Sequence, residues 1–332
     1  MRMKVFDKRI IFFAIVLITV IAACVKTTSI SPVTTGTSIA GIIKAANHLT
    51  LLDSAMSKAG LLPTLDSLNP VSVAGPYTLF APLDIAFANA AFTDSTIYKY
   101  SKDSLKRLLT YHLISGQAKY LATFPQGPNA PVPSASGDIL YITVNSGNLF
   151  VNGSLVTSSD VTAKNGVIQV LSGLLLPPIY GNTYKTLDSL SLKSDTTLTF
   201  LVAALNRAST SSLYSDLDSL LANKDSVFTI LAPTNSAFAA LGDTTIAVID
   251  SLNPDTLAKI LQCHILNGRV FTSDIPQSGS LTSIAGDSLA FSALGNLTVL
   301  SKGDSSAPAN IISVNRVATN GVIHKIDKIL LP

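Results

Sequence analysis

Two segments of this chain repeat one another, and the repeat limits the possible folds more than any other feature of the sequence. Three motifs occur twice in the same order, at nearly constant offsets of 151, 152 and 155 residues. The chain therefore consists of two copies of one domain. The paired runs are Tyr77–Phe87 with Phe228–Phe238 (Pro82 and Pro233), Leu108–Gly116 with Ile260–Gly268 (His112 and His264), and Asn165–Leu171 with Asn320–Ile326.

Each copy is large and apolar enough to form its own core. The 332 residues are 47% hydrophobic and 13% charged, which excludes a disordered or coiled-coil protein. The boundary between the copies falls in the turn-forming run from Pro177 to Asn182. We predict a first domain over residues 37–178, a linker over 179–182 and a second domain over 183–332. Because the linker is short, the two domains must lie close together.

Each copy has helical patterns in its first half and strand patterns in its second. Gly60 is placed to end the first helix, and Thr234 or Asn235 to begin a later one. Proline lacks the N–H that a β-sheet hydrogen-bond ladder needs, so Pro82 should stop the first strand. The proline-rich run Phe124–Pro133 is predicted to be an exposed loop peculiar to the first copy. The order indicates an α+β fold with a largely antiparallel sheet. Predicted helices are Leu51–Ala59, Asp84–Ala91, Ser104–Ile114, Phe200–Ala208 and Pro254–Leu266, and predicted strands are Tyr77–Phe80, Ile139–Val144, Leu149–Val151, Leu155–Val156, Val167–Leu171 and Val322–Ile326.

Residues 1–23 have the layout of a secretory signal. Basic residues precede an apolar run, and small residues lead to Cys24. The apolar stretch from Ile10 to Ala23 is shorter than the roughly 20 residues that a membrane span needs. The sequence Ile-Ala-Ala-Cys resembles the lipobox of bacterial lipoproteins, which implies cleavage after Ala23 and a lipid on the Cys24 sulfur as the protein's contact with the membrane. Residues 24–36, rich in Ser and Thr, are predicted to form a flexible tether.

The charge balance bears on partners and on location. Four of the 23 basic residues and one of the 20 acidic residues lie in the signal, which leaves 19 of each in the rest of the chain. A neutral body argues against binding to nucleic acid. Val25 follows Cys24, where, by analogy with bacterial lipoproteins, an aspartate would retain the protein in the inner membrane. We therefore expect an outer-membrane lipoprotein that faces either the periplasm or the surroundings.

The repeated motifs resemble those of the fasciclin (FAS1) family. That family has an aromatic-Thr-aliphatic-Phe-Ala-Pro-Thr-Asn-x-Ala-Phe run, a Tyr-His pair, and a final Asn-Gly-Val-Ile-His run that ends in Leu-x-Pro. The first copy has Gln169 in place of His324, and the second has Cys263 in place of Tyr111. The resemblance implies two tandem FAS1-like domains, each a mainly antiparallel β-sheet wedge packed with several helices. It also implies a secreted, lipid-anchored or cell-surface protein with a role in adhesion.

The repeated histidines lie on apolar stripes of predicted helices. A buried imidazole needs a hydrogen-bond partner, so we expect each to bond the backbone of an adjoining segment. The resemblance implies that partners bind near the Tyr-His pair, so Tyr111, His112 and His264 are candidates for either a structural or a partner-binding role. An amide such as Gln169 can replace the hydrogen bonds of a neutral imidazole but not its proton chemistry, which favours a structural role at this position. The remaining structural-motif residues are Pro82, Pro233, Asn165, Gly166, Asn320, Gly321 and His324.

The sequence contains no pattern that indicates catalysis. All 20 acidic residues are Asp, no His or Cys pair has zinc spacing, and neither a G-x-S-x-G elbow nor a phosphate-binding loop occurs. We expect no metal and no cofactor. The sequence favours a non-catalytic envelope lipoprotein that binds a protein, matrix or glycan partner. Two alternatives remain: a structural accessory of an outer-membrane uptake or assembly complex, and a hydrolase that uses a pair of Asp residues.

Overall fold

The structure is a computed structural model that describes most of the chain after residue 35. The predicted signal, the lipidation site Cys24 and most of the predicted tether lie outside the described residues. No helix in the described part of the chain is long and apolar enough to cross a bilayer. The described residues are 36–66, 76–193, 196–213, 217–293, 295–303 and 307–332.

Two sets of elements follow one another in the same order, and we name them domain 1 and domain 2. Domain 1 contains helices α1 (Ile39–Ala45), α2 (Thr50–Ala59), α3 (Leu62–Asp66), α4 (Asp84–Asn89), α5 (Asp94–Lys99) and α6 (Lys102–Tyr111), and strands β1 (Tyr77–Pro82), β2 (Leu113–Ser115), β3 (Gly127–Pro133), β4 (Ile139–Asn145), β5 (Asn148–Val151), β6 (Ser154–Ala163) and β7 (Gly166–Leu171). Domain 2 contains helices α7 (Thr183–Lys193), α8 (Thr199–Ala208), α9 (Leu217–Ala222), α10 (Asn235–Ala239), α11 (Ile246–Ser251) and α12 (Pro254–Cys263), and strands β8 (Phe228–Pro233), β9 (Ile265–Asn267), β10 (Ser278–Thr282), β11 (Ser288–Ser292), β12 (Thr298–Leu300), β13 (Ala309–Ala318) and β14 (Gly321–Ile326).

Both domains have the same sheet topology. The strand order is β2-β1-β7-β6-β5-β4-β3 in domain 1 and β9-β8-β14-β13-β12-β11-β10 in domain 2. The pairing of β1 with β7, and of β8 with β14, is parallel, and the other pairings are antiparallel. The prediction of an α+β fold with a largely antiparallel sheet is confirmed.

The central strand of each sheet separates two apolar cores. All six residues of β1 and of β8 are buried, as expected for strands covered on both faces. Successive side chains of a strand point to opposite faces. Leu79 and Ile230 thus pack among the helices, whereas Phe80 and Leu231 pack under the antiparallel strands.

The two helices that carry the repeated histidines end earlier than predicted. Helix α6 ends at Tyr111, and His112 occupies its C-cap position, so the prediction of a helix over Ser104–Ile114 is wrong at that end. Helix α12 likewise ends at Cys263 rather than at Leu266. The apolar residues that follow form β2 and β9, which pair with β1 and β8. Pairing with a distant strand overrides the local helical period.

The proline-rich run is also different from the prediction. Its second half is strand β3 at the edge of the sheet, and Phe124 is buried in the core beneath. An edge strand accommodates Pro128, Pro131 and Pro133 because one side of it needs no ladder N–H. Domain 2 has the equivalent strand β10, so the element is not peculiar to the first copy.

Three local predictions have different outcomes. Gly60 ends α2 in the left-handed conformation with φ 73°, as predicted. Strand β1 extends through Pro82, whereas the sequence predicts a strand that ends at Phe80 and is stopped by Pro82. Thr234 occupies the N-cap position of α10 but makes no side-chain capping bond. The Asn235 side chain instead accepts a hydrogen bond from the Phe200 N–H at 2.9 Å and so connects α10 to α8.

The two domains contact each other directly, as the short linker predicts. Asn129 Nδ2 donates to the Arg269 carbonyl oxygen at 2.8 Å and to Asp274 Oδ2 at 3.0 Å. Thr143 Oγ1 donates to Asp274 Oδ1 at 3.2 Å. The Arg269 guanidinium lies 4.0 Å from the centre of the Tyr141 ring, a cation–π distance. The interface is therefore polar and aromatic in this region.

Candidate functional site

His112 connects the end of α6 to the chain that follows β7. The side chain is fully buried. Its Nδ1 lies 2.9 Å from the Leu108 carbonyl oxygen, which can only accept a hydrogen bond. Nδ1 therefore carries the proton, and Nε2 accepts from the Leu175 N–H at 3.0 Å. Both ring nitrogens bond the backbone, as we expect for a buried imidazole.

His264 makes the same contacts in domain 2. Its Nδ1 donates to the Ile260 carbonyl oxygen at 2.9 Å, and its Nε2 accepts from the Leu330 N–H at 2.9 Å. The side chain is 1% exposed. In addition, the carbonyl oxygen of each histidine accepts from the central strand, from Phe80 in domain 1 and from Leu231 in domain 2, at 2.8 Å. Each histidine thus joins a helix, a strand and the C-terminal segment of its domain.

The third buried histidine is His324, and Gln169 takes its place in domain 1. His324 Nε2 donates to the Val270 carbonyl oxygen at 2.9 Å, and Nδ1 faces the Asn315 N–H at 3.4 Å. Gln169 Nε2 donates to the Lys119 carbonyl oxygen at 3.0 Å. Gln169 Oε1 accepts from the Asp160 N–H at 2.9 Å. The amide therefore reproduces the backbone bonds of the imidazole.

Burial sets the protonation state of these histidines. Desolvation lowers the pKa of His112, His264 and His324 from 6.5 to about 4, and the hydrogen bond from each ring to a backbone carbonyl opposes this shift only partly. All three rings are therefore neutral at pH 7. A buried neutral imidazole with both nitrogens occupied has no free site for proton transfer to a substrate.

The residue before each repeated histidine differs between the domains. The Tyr111 hydroxyl donates to the Ile139 carbonyl oxygen at 3.0 Å and accepts from Asn152 Nδ2 at 2.8 Å. Cys263 takes the equivalent position, and its thiol donates to Asp287 Oδ2 at 2.9 Å. Burial, supported by the neighbouring carboxylate, raises the pKa of Cys263 to about 12, so the thiol is not a nucleophile at neutral pH.

The two Asn-Gly pairs fix the start of the last strand in each domain. Asn165 Oδ1 accepts from the Ile39 N–H at 2.9 Å, and its Nδ2 donates to the Leu65 carbonyl oxygen at 2.7 Å. Asn320 makes the equivalent bonds, to the Thr183 N–H at 2.7 Å and the Leu221 carbonyl oxygen at 2.9 Å. Each asparagine therefore holds the first helix and the third helix of its domain against the sheet.

The glycine after each asparagine is required by a close approach of two strands. A Cβ at Gly166 would lie 2.0 Å from the Tyr77 carbonyl oxygen, and one at Gly321 would lie 2.2 Å from that of Phe228. Neither distance is possible for a side-chain carbon. The motif Asn-Gly therefore follows from the parallel pairing of the first and last strands.

The two motif prolines lie at the ends of the central strands. Pro82 pairs with Leu171, and Pro233 pairs with Ile326, at the last register position of the parallel ladder. Proline is suited to the end of a strand because no ladder N–H is lost there.

Sequence reasoning missed several residues that organise the structure. Thr78 Oγ1 donates to the Gln117 carbonyl oxygen at 2.7 Å, and Thr229 Oγ1 donates to that of Gly268 at 2.8 Å. Both threonines lie in the first repeated motif, so comparison of the two copies could have found them. The interface residues Arg269 and Asp274 have no counterpart of the same type in domain 1, and no repeat signal marks them.

The described residues contain no cluster of three or more His, Cys or Asp side chains that could hold a metal ion. The remaining histidine, His48, is half-buried, and its Nε2 has no hydrogen-bond partner in the described part of the chain. The chemistry-bearing residues that the sequence singled out are thus spread over two equivalent frameworks instead of meeting in one pocket.

The arrangement defines a class of protein built from two copies of one α+β domain, in which the repeated motifs hold each domain together. A fasciclin-domain family model matches residues 47–177 and 197–332. The chain belongs to the fasciclin family.

The relatives by sequence include bacterial, fungal and animal proteins. Protein sll1483 of Synechocystis is 38% identical over 34% of this chain and 62% of its own length. Human periostin is 29% identical over 76% of this chain and 27% of its own length, and rabbit transforming growth factor-beta-induced protein ig-h3 is 26% identical over 88% and 40%. This chain thus spans less than two thirds of each of these relatives.

One solved structure is similar to this chain. It is a FAS1 domain pair from the insect cell adhesion molecule Fasciclin I, with 18% sequence identity and a TM-score of 0.38 over 85% of this chain and 96% of that one. The family match and the shared topology of the two domains confirm the resemblance that the repeated motifs indicate.

Proposed function

We propose that this protein is a non-catalytic, lipid-anchored envelope protein that acts by adhesion, with its fasciclin domains binding a protein, matrix or glycan partner. One observation carries the proposal: the repeated polar residues are buried and bonded to the backbone. His112, His264 and His324 are at most 1% exposed, and each ring bonds two backbone groups. Such residues shape a binding surface but do not perform chemistry on a ligand.

The family supports this role. Fasciclin domains occur in cell-adhesion proteins, and the insect structure is of a cell adhesion molecule. The neutral body of the chain favours recognition by shape and by hydrogen bonds over long-range electrostatic attraction.

Exposed apolar side chains are the candidate contact residues. In domain 1, Ile85 and Tyr98 are 59% and 64% exposed. In domain 2, Leu241 and Ile246 are 53% and 46% exposed. These residues lie on or beside the short helices between the first strand and the histidine-bearing helix of each domain. Tyrosine is enriched among the residues that contribute most to protein interfaces, and exposed aliphatic side chains add apolar surface that a partner can bury.

The test measures binding by the full chain on a glycan array and on immobilised matrix proteins. We expect a retained ligand, and we expect the substitutions Tyr98→Ser or Ile246→Ser to weaken its binding at least about tenfold. Leu192→Ser is the matched control, since Leu192 is 72% exposed but lies on α7 and not on or beside one of these short helices. Absence of any ligand on both surfaces would contradict the adhesion role.

The lipid anchor and the location are tested separately. Mass spectrometry of the membrane-extracted protein should find a lipid on Cys24, and Cys24→Ser should release the chain from the membrane fraction. Protease treatment of intact cells then distinguishes a surface location from a periplasmic one. An unmodified Cys24 would contradict the anchor and leave the binding role to be judged on its own test.

A further inference from the structure

The two domains contain equivalent clefts, and among the described residues only the cleft of domain 1 is also lined by residues of the neighbouring domain. In domain 1 the cleft lies between α6 and the chain after β7 and has a volume of about 550 Å³. In domain 2 the equivalent cleft, beside α12, has a volume of about 470 Å³. Leu105 and Leu108 line the first, and Leu257 and Ile260, at the offset of 152 residues, line the second.

Residues of the linker and of domain 2 contribute to the cleft of domain 1. Tyr180 from the linker, Leu190 from α7 and Arg316 from β13 line it together with Phe92 and Tyr100 of domain 1. The rings of Phe92 and Tyr100 stack with their centres 4.9 Å apart. The result is a largely apolar and aromatic site at the boundary between two domains, where ligand pockets are common.

Arg316 is the unusual member of this site. Its Nε is shielded from solvent and has no hydrogen-bond partner among the described residues, and no Asp in that part of the chain lies within ion-pair distance of it. The guanidinium lies 5.5 Å from the centre of the Tyr180 ring. Desolvation lowers the pKa of Arg316, and the interaction with Tyr180 opposes this shift. The residue as a whole is half-buried. A shielded N–H without an acceptor is costly, so the side chain would gain from a further acceptor in the cleft.

The fold does not require an arginine at this position. Arg316 pairs with Ile323 in domain 2, and Val161 pairs with Ile168 at the same register position of domain 1. Val161 packs on the helix-side core of its own domain. An apolar residue therefore satisfies this topology, and the guanidinium serves something other than the sheet.

The charged residues that line the two clefts also differ. Arg107 and Asp103 also line the cleft of domain 1, and Arg107 lies 3.4 Å from Asp138. Together with Arg316, the lining has two arginines and one aspartate. The lining of the domain 2 cleft includes no arginine but has Asp243, whose pKa is raised by burial. Because Arg107 is already paired with Asp138, Arg316 is the cation that remains for an anion in the cleft of domain 1. The described lining of the domain 2 cleft has no such cation.

We propose that the cleft of domain 1 binds a small molecule that has one carboxylate and a compact apolar body. The carboxylate pairs with Arg316, because guanidinium and carboxylate form strong, charge-assisted hydrogen bonds. The apolar body lies among Phe92, Tyr100 and Leu190, in a volume that is typical of small-molecule sites. This site is independent of the proposed adhesion role and requires no cell surface or partner protein.

Calorimetric titration of the purified full chain in a neutral detergent tests the proposal, with 2-naphthoate and its uncharged analogue 2-naphthamide as probes. We expect naphthoate to bind at least about tenfold more tightly than naphthamide. Arg316→Val, which installs the residue type of domain 1, should remove this preference while naphthamide binding stays within about threefold. Arg107→Gln is the matched control and should keep most of the preference, because Arg107 is half-exposed and already paired with Asp138.

Equal affinity for the two probes in the unmodified protein, or no binding of either, would overturn the proposal. A preference for naphthoate that survives in Arg316→Val would also overturn it. We expect Arg316→Val to fold, since valine occupies the equivalent position of domain 1. Arg316→Gln preserves side-chain length without the charge and gives the same comparison if the valine variant does not fold. Failure here leaves the adhesion proposal intact, because that is measured with immobilised ligands.

Discussion

The last strands of the two domains make the same backbone hydrogen bonds with different side chains. At the same register position, domain 1 has Gln169 and domain 2 has His324, and each bonds a carbonyl oxygen and an N–H of two neighbouring segments. The residue that supplies the N–H also differs: it is Asp160 in domain 1 and Asn315 in domain 2, both in the left-handed region at φ 60°. Asp and Asn tolerate this conformation better than most residues.

The comparison teaches that the hydrogen-bond geometry is required, whereas the titratable group is not. Gln169 remains neutral at every pH, while His324 gains a proton once the pH falls below its pKa of about 4. Domain 1 has one buried histidine in these frameworks, His112, and domain 2 has two, His264 and His324. The two domains should therefore differ most in their response to acid.

The largest expected effect is the selective loss of domain 2 in acid. The pKa of the buried histidines is about 4 in the folded state and 6.5 when they are exposed. Above pH 6.5 both states are neutral; between pH 6.5 and 4 only the unfolded state gains protons, so the stability is lost as the pH falls. Each histidine accounts for about 3 kcal/mol at pH 4. Domain 2 should lose about 6 kcal/mol and domain 1 about 3.

Hydrogen exchange measures the two domains separately in the intact chain. A short labelling pulse, applied at increasing urea concentration at pH 7 and at pH 4, reports unfolding of peptides that cover β7 and β14. We expect the urea midpoint of β14 to fall further than that of β7. Equal shifts for the two strands would contradict the assignment of acid sensitivity to the additional histidine.

Removing a histidine that connects three segments should give the next largest effect. His264→Ala leaves the Ile260 carbonyl oxygen and the Leu330 N–H without their partner and opens a cavity. We expect a loss of about 3–5 kcal/mol in the free energy of unfolding of domain 2 at pH 7. His112→Ala should destabilise domain 1 by a similar amount, because its contacts are the same.

Urea denaturation followed by circular dichroism measures both variants. His48→Ala is the control, since the Nε2 of His48 has no partner to lose in the described residues, and we expect it to cost less than about 1 kcal/mol. A loss below about 1 kcal/mol in either His264→Ala or His112→Ala would show that these hydrogen bonds do not hold the segments together.

A smaller effect should distinguish the residues that precede the histidines. Tyr111→Phe removes the hydroxyl that bonds Ile139 and Asn152, and we expect a loss of about 1–2 kcal/mol. Cys263→Ala removes a weaker donor, and its cost should be about 1 kcal/mol. Urea midpoints measure both variants, and an unchanged midpoint for Tyr111→Phe would contradict a structural role for its hydroxyl.

The repeat made the fold predictable, because two copies with the same motifs identify the same elements twice. Gly60, the closing strands and the α+β class follow from local residue types. The ends of the histidine-bearing helices do not, since Leu113 and Ile265 have helical spacing but pair with β1 and β8. Only the distant strand determines their conformation, and no local pattern contains it.

The candidate site was predictable to a similar extent. The expected backbone bonds of the buried histidines follow from the rule that buried polar groups need partners. Arg269 and Arg316 could not be found in this way, because Arg269 contacts Tyr141 of the other copy and Arg316 lines a cleft of the other copy. The sequence signal for a role between the copies is a residue that differs at equivalent positions, such as Arg316 in domain 2 and Val161 in domain 1.

Replacing His324 by the glutamine of domain 1 should have the smallest effect on the free energy of unfolding at pH 7. The same variant should change the loss of stability in acid, which makes it informative there. His324→Gln keeps both backbone bonds, so we expect the free energy of unfolding at pH 7 to change by less than about 1 kcal/mol. At pH 4, domain 2 should lose about 3 kcal/mol less than in the unmodified chain. The pulse-labelled β14 peptide should then respond to acid as the β7 peptide does.

The reverse exchange should not be symmetric, because the neighbouring residues differ. Gln169→His places the new ring beside Asp160, whose Oδ1 lies 2.8 Å from Gln169 Nε2. The carboxylate of Asp274 also raises the pKa of His324, but the His324 ring bonds Val270 and Asn315 and not that carboxylate. A carboxylate bonded directly to a protonated imidazole stabilises it more strongly, so Gln169→His alone should add little acid sensitivity to domain 1. Gln169→His combined with Asp160→Asn reproduces the domain 2 pair and should add about 3 kcal/mol of loss at pH 4. If the single and double variants respond equally, burial alone governs the acid response and the neighbouring carboxylate does not contribute.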